Sequence, residues 1–126
     1  VGVMVAAWGG TAAESWTPTE IIEGNPDFQL RQIQQSYPWW PREAGVLYNQ
    51  MIHPLLPFTF AGAIWYQGET NRDNPEYYGL LMKNMIESWR REAYRSLHFY
   101  INPKITDQHL SAKHKNGLPV TRKKPD

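Results

Sequence analysis

Two apolar runs, each ending abruptly in a polar or glycine-rich loop, dominate the hydrophobic pattern of this chain. Residues 1–7 form the first run, which stops at a Trp-Gly-Gly-Thr segment at positions 8–11. Residues 60–66 form the second run, which stops at Gln-Gly-Glu at positions 67–69. Continuous apolar runs are typical of buried strands in parallel sheets, and open α/β sheets bind ligands beyond the carboxyl ends of such strands. We therefore expect two strands whose loops face one crevice.

A long amphipathic helix should follow the second run. Asn74-Pro75 is a helix-start signal, and four apolar residues then recur at i+4 spacing, which places them on one face. They are Tyr77, Leu81, Met85 and Trp89. Residues 97–101 are a plausible next strand. This strand–helix–strand order predicts an α/β fold with a parallel sheet and right-handed crossovers.

Two shorter helices are expected between the two apolar runs. Thr17 is a candidate N-cap with Pro18 at the first helical position, so a helix should run to about Glu23. Asn25-Pro26 repeats the signal ahead of a second helix over residues 27–37.

Trp39 and Trp40 lie between two prolines, which exclude a continuing helix and predict a loop. These tryptophans have two equally weighted interpretations. They could stack on sugar rings, or they could cover the edge of the sheet, because aromatic side chains bury large areas.

Composition narrows the possible functions. The 126 residues are 41% hydrophobic with six tryptophans, which favours a folded core, and a net charge of +1 does not indicate a nucleic-acid partner. The absence of cysteine excludes disulfides and thiolate metal sites. No apolar stretch reaches the roughly 18 residues of a membrane span. Residues 102–126 lose apolar periodicity, so we expect a domain over 1–101 and an aberrant or disordered tail.

Four motifs resemble the sialate O-acetylesterase family and occur in that family's order. They are Trp-Gly-Gly-Thr at 8–11, Leu-Tyr-Asn-x-Met-Ile at 47–52, Trp-Tyr-Gln-Gly-Glu-Thr-Asn at 65–71 and Trp-Arg at 89–90. Only Thr70 departs from the usual serine of the third motif. The resemblance covers residues 1 to about 90 and implies an SGNH (GDSL-like) hydrolase with a three-layer α/β/α sandwich. Because the chain starts at Val1 inside a predicted strand, we expect a partial domain that lacks its first strand and its carboxyl-terminal part.

The resemblance implies serine-dependent removal of acetyl groups from sialic acid or other sugars through an acyl-enzyme, without metal or cofactor. An acetylated sugar or sialoglycan would be the substrate, and a secreted, periplasmic or lysosomal location would be plausible. The family's nucleophile lies in a Gly-Gln-Ser-Asn loop upstream of the Trp-Gly-Gly segment. Nothing like that loop occurs here, and none of the five serines has a comparable context. The chain alone is therefore expected to be inactive.

The resemblance also assigns an oxyanion hole, in which donors stabilise the charge that develops on the attacked carbonyl. Its members here would be the backbone N–H of Gly10, preferred over Gly9, and the side-chain amide of Gln67. Glu69 and Asn71 would orient the loop that carries Gln67.

Asp107 and His109 match the order of the family's late Asp-x-His element, in which the histidine is the general base. Leu110 replaces the usual proline, and the connection from Trp89 is far shorter than in the family. Chance matching in an aberrant tail is the favoured alternative.

Two other functional classes stay open. A small carbohydrate-binding module could use Trp39, Trp40 and Trp65 to bind sugar without cleaving esters. A truncated product with no function would instead fold poorly.

Overall fold

The computed structural model describes residues 2–29, 38–73, 75–93 and 97–101. Within these ranges the chain is a small mixed α/β structure. Its helices are α1 at Thr19–Glu23, α2 at Pro26–Gln29 and α3 at Pro75–Glu92, and its strands are β1 at Gly62–Trp65 and β2 at His98–Ile101. Two 3₁₀ turns at Ala13–Trp16 and His53–Leu55 and a π-helical turn at Tyr48–Ile52 complete the regular structure.

Strands β1 and β2 pair in parallel, with Gly62 opposite His98 and Trp65 opposite Ile101. Because α3 connects them, the predicted parallel strand–helix–strand unit is confirmed. The two faces of this sheet differ sharply: Trp65 is 8% exposed, whereas Ile64 is 88% exposed. In the part of the chain that the structure describes, one face of the sheet is therefore covered and the other faces solvent. The three-layer sandwich remains an inference from family resemblance.

Helix α3 supplies much of the core. The four residues predicted to form its apolar face are all buried, and Leu81 and Met85 have no exposed surface. The Trp89 ring packs against the Trp65 ring at a centroid distance of 5.9 Å and an angle of 81°. Its indole nitrogen also donates to the carbonyl of Trp16, at 3.2 Å. Trp89 thus joins the helix, the sheet and the 3₁₀ turn that precedes α1.

The prediction of a strand over residues 1–7 is wrong for the residues that the structure describes. Residues 2–7 have no strand pairing, and Val3 and Val5 are more than 80% exposed. A strand needs a neighbour to satisfy its backbone N–H and C=O groups, and neither β1 nor β2 provides one here.

The predicted start of α1 is also wrong in detail. The Thr17 hydroxyl donates backwards to the Ala13 carbonyl at 2.9 Å, so it cannot cap the following helix. Pro18 occupies the N-cap position, and α1 begins at Thr19.

Two other expectations about local structure are met where the structure describes them. Helix α1 ends at Glu23 as predicted, and residues 38–41 are a loop of turn, bend and irregular backbone rather than helix. Helix α2 confirms only the beginning of the helix expected over 27–37, because residues 30–37 lie outside the described ranges. The tail over residues 102–126 also lies outside them. No helix within the described ranges is both long enough and apolar enough to cross a membrane.

Candidate functional site

The loop that follows β1 is hydrogen-bonded to Thr11 of the Trp-Gly-Gly-Thr loop and to the turn that comes after it. Gln67 Nε2 donates to the Thr11 carbonyl at 3.0 Å and to Asn71 Oδ1 at 2.7 Å. Asn71 Oδ1 also accepts from the backbone N–H of Ala13, and Asn71 Nδ2 donates to Glu14 Oε2 at 2.8 Å. We call these side chains of Gln67, Asn71 and Glu14 the amide network. It joins two segments that are more than 50 residues apart in sequence.

The orientation of both amides in the network follows from partners of fixed chemistry. A backbone N–H can only donate and a carboxylate can only accept, so Ala13 and Glu14 determine which Asn71 atom is oxygen. The Asn71 oxygen and the Thr11 carbonyl then determine that Gln67 directs its nitrogen at both of them. Both Gln67 amide protons are therefore engaged. Gln67 Oε1 is buried and has no partner among the described residues.

Gly10 lies beside this network on the exposed loop. Its carbonyl accepts a hydrogen bond from the Thr70 hydroxyl at 2.9 Å, so the two loops meet here as well. Its φ of 76° is left-handed, and a Cβ at this position would overlap the Trp40 ring. The Gly10 N–H has no hydrogen-bond partner within the described ranges, which leaves it available as a donor.

Tyr78 of α3 supports the site from behind the strand. Its hydroxyl donates to the Gln67 carbonyl at 2.9 Å and accepts from the Trp65 indole at 3.3 Å. Burial raises the pKa of Tyr78 to about 12, so the hydroxyl keeps its proton at neutral pH. The backbone of Gln67 is thus attached to the core while its side chain faces the opposite segment.

Thr11 anchors the start of the other segment. Its hydroxyl accepts from the Trp16 indole at 2.9 Å and donates to the Trp8 carbonyl at 2.8 Å, and Thr11 is only 3% exposed. The Trp-Gly-Gly-Thr loop is therefore closed on itself before it contacts Gln67.

The structure brings together three of the predicted site residues: Gly10, Gln67 and Asn71. The Glu69 carboxylate is exposed and makes no hydrogen bond or ion pair within the described ranges, where only the Glu69 backbone carbonyl accepts, from the Arg72 N–H at 3.4 Å, so its orienting role stays a prediction. Asp107 and His109 lie outside the described residues. Sequence reasoning missed Glu14, because no local pattern links it to Asn71, which is 57 residues away.

The serines that can be placed do not resemble a nucleophile. Ser15 and Ser88 have no exposed surface, so a substrate cannot reach either hydroxyl. Ser36, Ser96 and Ser111 are outside the described ranges. Among the described residues, no group of three His, Asp or Glu side chains could hold a metal ion.

A pocket of about 220 Å³ lies at the other end of the sheet. It is lined by residues 56–60, Ala93 and Leu97, which precede β1 and follow α3. None of the residues of the amide network contributes to it, so the chemistry of the motifs is not located there.

Comparison with known proteins finds homologues of this chain among the sialate O-acetylesterases. The chain is 33% identical over 96 residues to the sialate O-acetylesterase of Homo sapiens, covering 75% of this chain and 18% of that protein. It is 30% identical over 118 residues to the sialate O-acetylesterase of Mus musculus, covering 72% and 22%. This chain is therefore a distant homologue of the sialate O-acetylesterases and spans about a fifth of the length of these curated relatives.

No protein-family model matches the chain. No solved structure matches it significantly either.

Proposed function

We propose that this chain forms the oxyanion-binding part of a carbohydrate esterase that resembles sialate O-acetylesterase, within a partial SGNH-type α/β/α domain over residues 1–101. The whole enzyme would hydrolyse O-acetyl esters on sialic acid or other sugars. The observation that carries the proposal is the direct contact between two of the family-like motifs. Gln67 of the third motif donates to Thr11 of the first, and Thr70 donates to Gly10.

In this proposal Gly10 is the donor that is ready in the described structure. Its N–H makes no hydrogen bond within the described ranges. The Trp40 ring lies so close to this left-handed position that only glycine, which has no Cβ, fits there. A backbone N–H held in place before the reaction can stabilise the oxyanion without reorganisation.

Gln67 enters the oxyanion hole differently. Both of its amide protons are already bonded, so one bond must be exchanged for the oxyanion. The bond to Thr11 is the longer of the two, and we propose that it is the one exchanged. Gln67 then contributes chiefly in the transition state, where the carbonyl oxygen carries charge.

The sugar would be contacted by Trp39. This side chain is 73% exposed and directly follows Pro38 on the loop whose Trp40 ring covers Gly10. Indole rings provide a large apolar surface on which a sugar ring can stack. Trp65, by contrast, is buried between Trp16 and Trp89. It therefore cannot contact a sugar in the alternative function, a binding module that uses Trp39, Trp40 and Trp65.

Two assays test the proposal. The isolated 126-residue chain should show no labelling by a fluorophosphonate and no hydrolysis of 4-nitrophenyl acetate, because the nucleophile is absent. In a chimera, residues 1–101 would replace the matching segment of the human sialate O-acetylesterase. That chimera should hydrolyse O-acetylated sialic acid. Gln67→Ala in the chimera should lower kcat by about 10²–10³ and leave KM nearly unchanged.

Asn84→Ala is the matched control in the chimera, because among the described residues the Asn84 side chain bonds only to the Leu80 carbonyl of its own helix. A chimera that is folded but inactive would contradict the proposal. A Gln67→Ala variant with raised KM and unchanged kcat would reassign Gln67 to substrate recognition. Stoichiometric labelling of a serine in the isolated chain would show that the chain carries its own nucleophile.

A further inference from the structure

A buried carboxylate outside the family-like motifs terminates the amide network. Glu14 is 4% exposed, and its Oε2 accepts the 2.8 Å hydrogen bond from Asn71 Nδ2. We propose that Glu14 is a positioning residue, which acts through Asn71 to hold the side-chain amide of Gln67 in one orientation. The functional meaning of that orientation rests on the proposed esterase role, but the positioning itself does not.

The backbone around Glu14 is held by independent contacts. Its carbonyl accepts from the N–H of Thr17 at 3.2 Å and from the N–H of Gly45 at 3.0 Å. Gly45 has a φ of 72°, and a Cβ there would overlap Thr19, so this close approach requires glycine. The carboxylate is therefore presented to Asn71 by a turn that is fixed on both sides.

The charge of Glu14 determines how Asn71 is oriented. Hydrogen bonds to an ionised acceptor are shorter and about twice as strong as those between neutral groups. With its nitrogen held by Glu14, Asn71 must direct its oxygen towards Ala13 and Gln67. Donation to a carboxylate also polarises the Asn71 amide, which makes its oxygen a better acceptor for Gln67.

Without Glu14, only the Ala13 N–H would still distinguish the two ends of Asn71, so the orientation of Asn71 would be held by one contact instead of two. A rotated Asn71 would direct its NH₂ group at the Gln67 nitrogen, and two donors would then face each other. Gln67 would be left with the Thr11 carbonyl alone. The Gln67 amide would then be mobile at the position where the oxyanion develops. Catalysis would be weaker, because such a donor is effective only when it is held in place before the reaction.

The test uses the 126-residue chain itself and does not depend on activity. Exchange of the Gln67 side-chain amide protons with water is measured by ¹⁵N NMR in four proteins: the original chain, Glu14→Asp, Glu14→Gln and Glu87→Ala. Aspartate keeps the charge but is one methylene too short to reach Asn71, so exchange at Gln67 should become about tenfold faster. Glutamine keeps the length and an acceptor oxygen but loses the charge, so exchange should rise by a smaller factor, about threefold. Glu87→Ala, which removes an exposed carboxylate of α3 outside the network, should have no effect.

Backbone amide exchange in α3 separates positioning from general destabilisation. In Glu14→Asp it should rise by a smaller factor than Gln67 exchange, because α3 responds only to the loss of global stability whereas Gln67 also loses its local hydrogen-bond partner. If α3 exchange rose by the same factor as Gln67 exchange, Glu14 would be an ordinary structural residue and the proposal would be overturned. Unchanged Gln67 exchange in Glu14→Asp would overturn it as well. Either result would leave the esterase proposal standing, since that is judged by the chimera.

Discussion

The two apolar runs, residues 1–7 and residues 60–66, are alike in sequence but differ in the folded chain. The second run contains β1, which pairs with β2 and places Trp65 in the core. In the first run, residues 2–7 pair with no strand in the described part of the chain, and Val5 is 82% exposed. The apolar character of a run shows only that burying it would be favourable. Whether the run is buried depends on the segments that pack against it.

The loops after the two runs do not show this difference. Both are fixed, because Gln67 and Thr70 of the second loop donate to the carbonyls of Thr11 and Gly10 in the first. The geometry of the candidate site therefore depends on contacts between loops and on the core beneath β1. It does not require residues 2–7 to form a strand.

The largest expected effect comes from substituting one residue in each run. Trp65→Ala removes a ring that contacts both Trp16 and Trp89, and such a change costs about 3–5 kcal/mol of unfolding free energy. Val5→Ala removes exposed methyl groups and should change stability by less than about 0.5 kcal/mol. Urea midpoints of the two variants at equal m-values provide the measurement.

A loss of more than about 1 kcal/mol of unfolding free energy in Val5→Ala would contradict this comparison, because it would mean that the first run packs against the rest of the chain in solution.

The second prediction tests whether the amide network holds the two loops together. Asn71→Ala leaves the Ala13 N–H, the Glu14 carboxylate and one Gln67 proton without a partner. The expected cost is about 2–3 kcal/mol, because unsatisfied buried groups are expensive. Asn84→Ala is the control: in the described part of the chain this side chain bonds only within α3, and alanine favours helix, so stability should change little or rise.

If both asparagine variants unfolded at the same urea concentration, the network would not be holding the two loops together.

Helix α3 could be predicted because its pattern needs no knowledge of distant residues. The i+4 spacing from Tyr77 to Trp89 identifies a face by itself, and all four residues are buried as expected. The strand over residues 1–7 failed for the opposite reason, since pairing depends on a neighbour. Thr17 failed because its hydroxyl had two possible partners, and the Ala13 carbonyl lies one turn behind it.

The candidate site was predictable only in part. Gln67 and Asn71 could be named because they belong to one motif, and four residues of separation suit a contact between them. Glu14 could not, because its partner is 57 residues away and no local pattern links them. The engagement of both Gln67 protons was likewise hidden, as it depends on where the Thr11 carbonyl points.

A smaller effect is expected at the glycines of the first loop. Gly10→Ala forces a side chain into a left-handed conformation and into the Trp40 ring, which should cost about 1–2 kcal/mol. Gly9→Ala is the matched control, because a Cβ there meets nothing within 4 Å and its φ is not left-handed. The check is the urea midpoint together with the indole N–H resonance of Trp40. Equal behaviour of the two variants would mean that Trp40 does not cover Gly10.

The smallest effect is expected at Tyr78, and its sign depends on pH. Tyr78→Phe removes the hydrogen bonds to Gln67 and from Trp65, which should cost about 1 kcal/mol at pH 7. Burial raises the pKa of Tyr78 from 10.0 to about 12, so above pH 10 the unfolded chain loses this proton while the folded chain retains it. The stability contributed by the neutral hydroxyl is therefore complete below pH 10 and declines as pH rises towards 12. Phenylalanine has no such proton, and the other tyrosines are common to both proteins. The difference in urea midpoint between the original chain and Tyr78→Phe should thus narrow above pH 10 and then reverse. A constant difference from pH 8 to about pH 11.5 would show that Tyr78 is not buried in the core beneath β1.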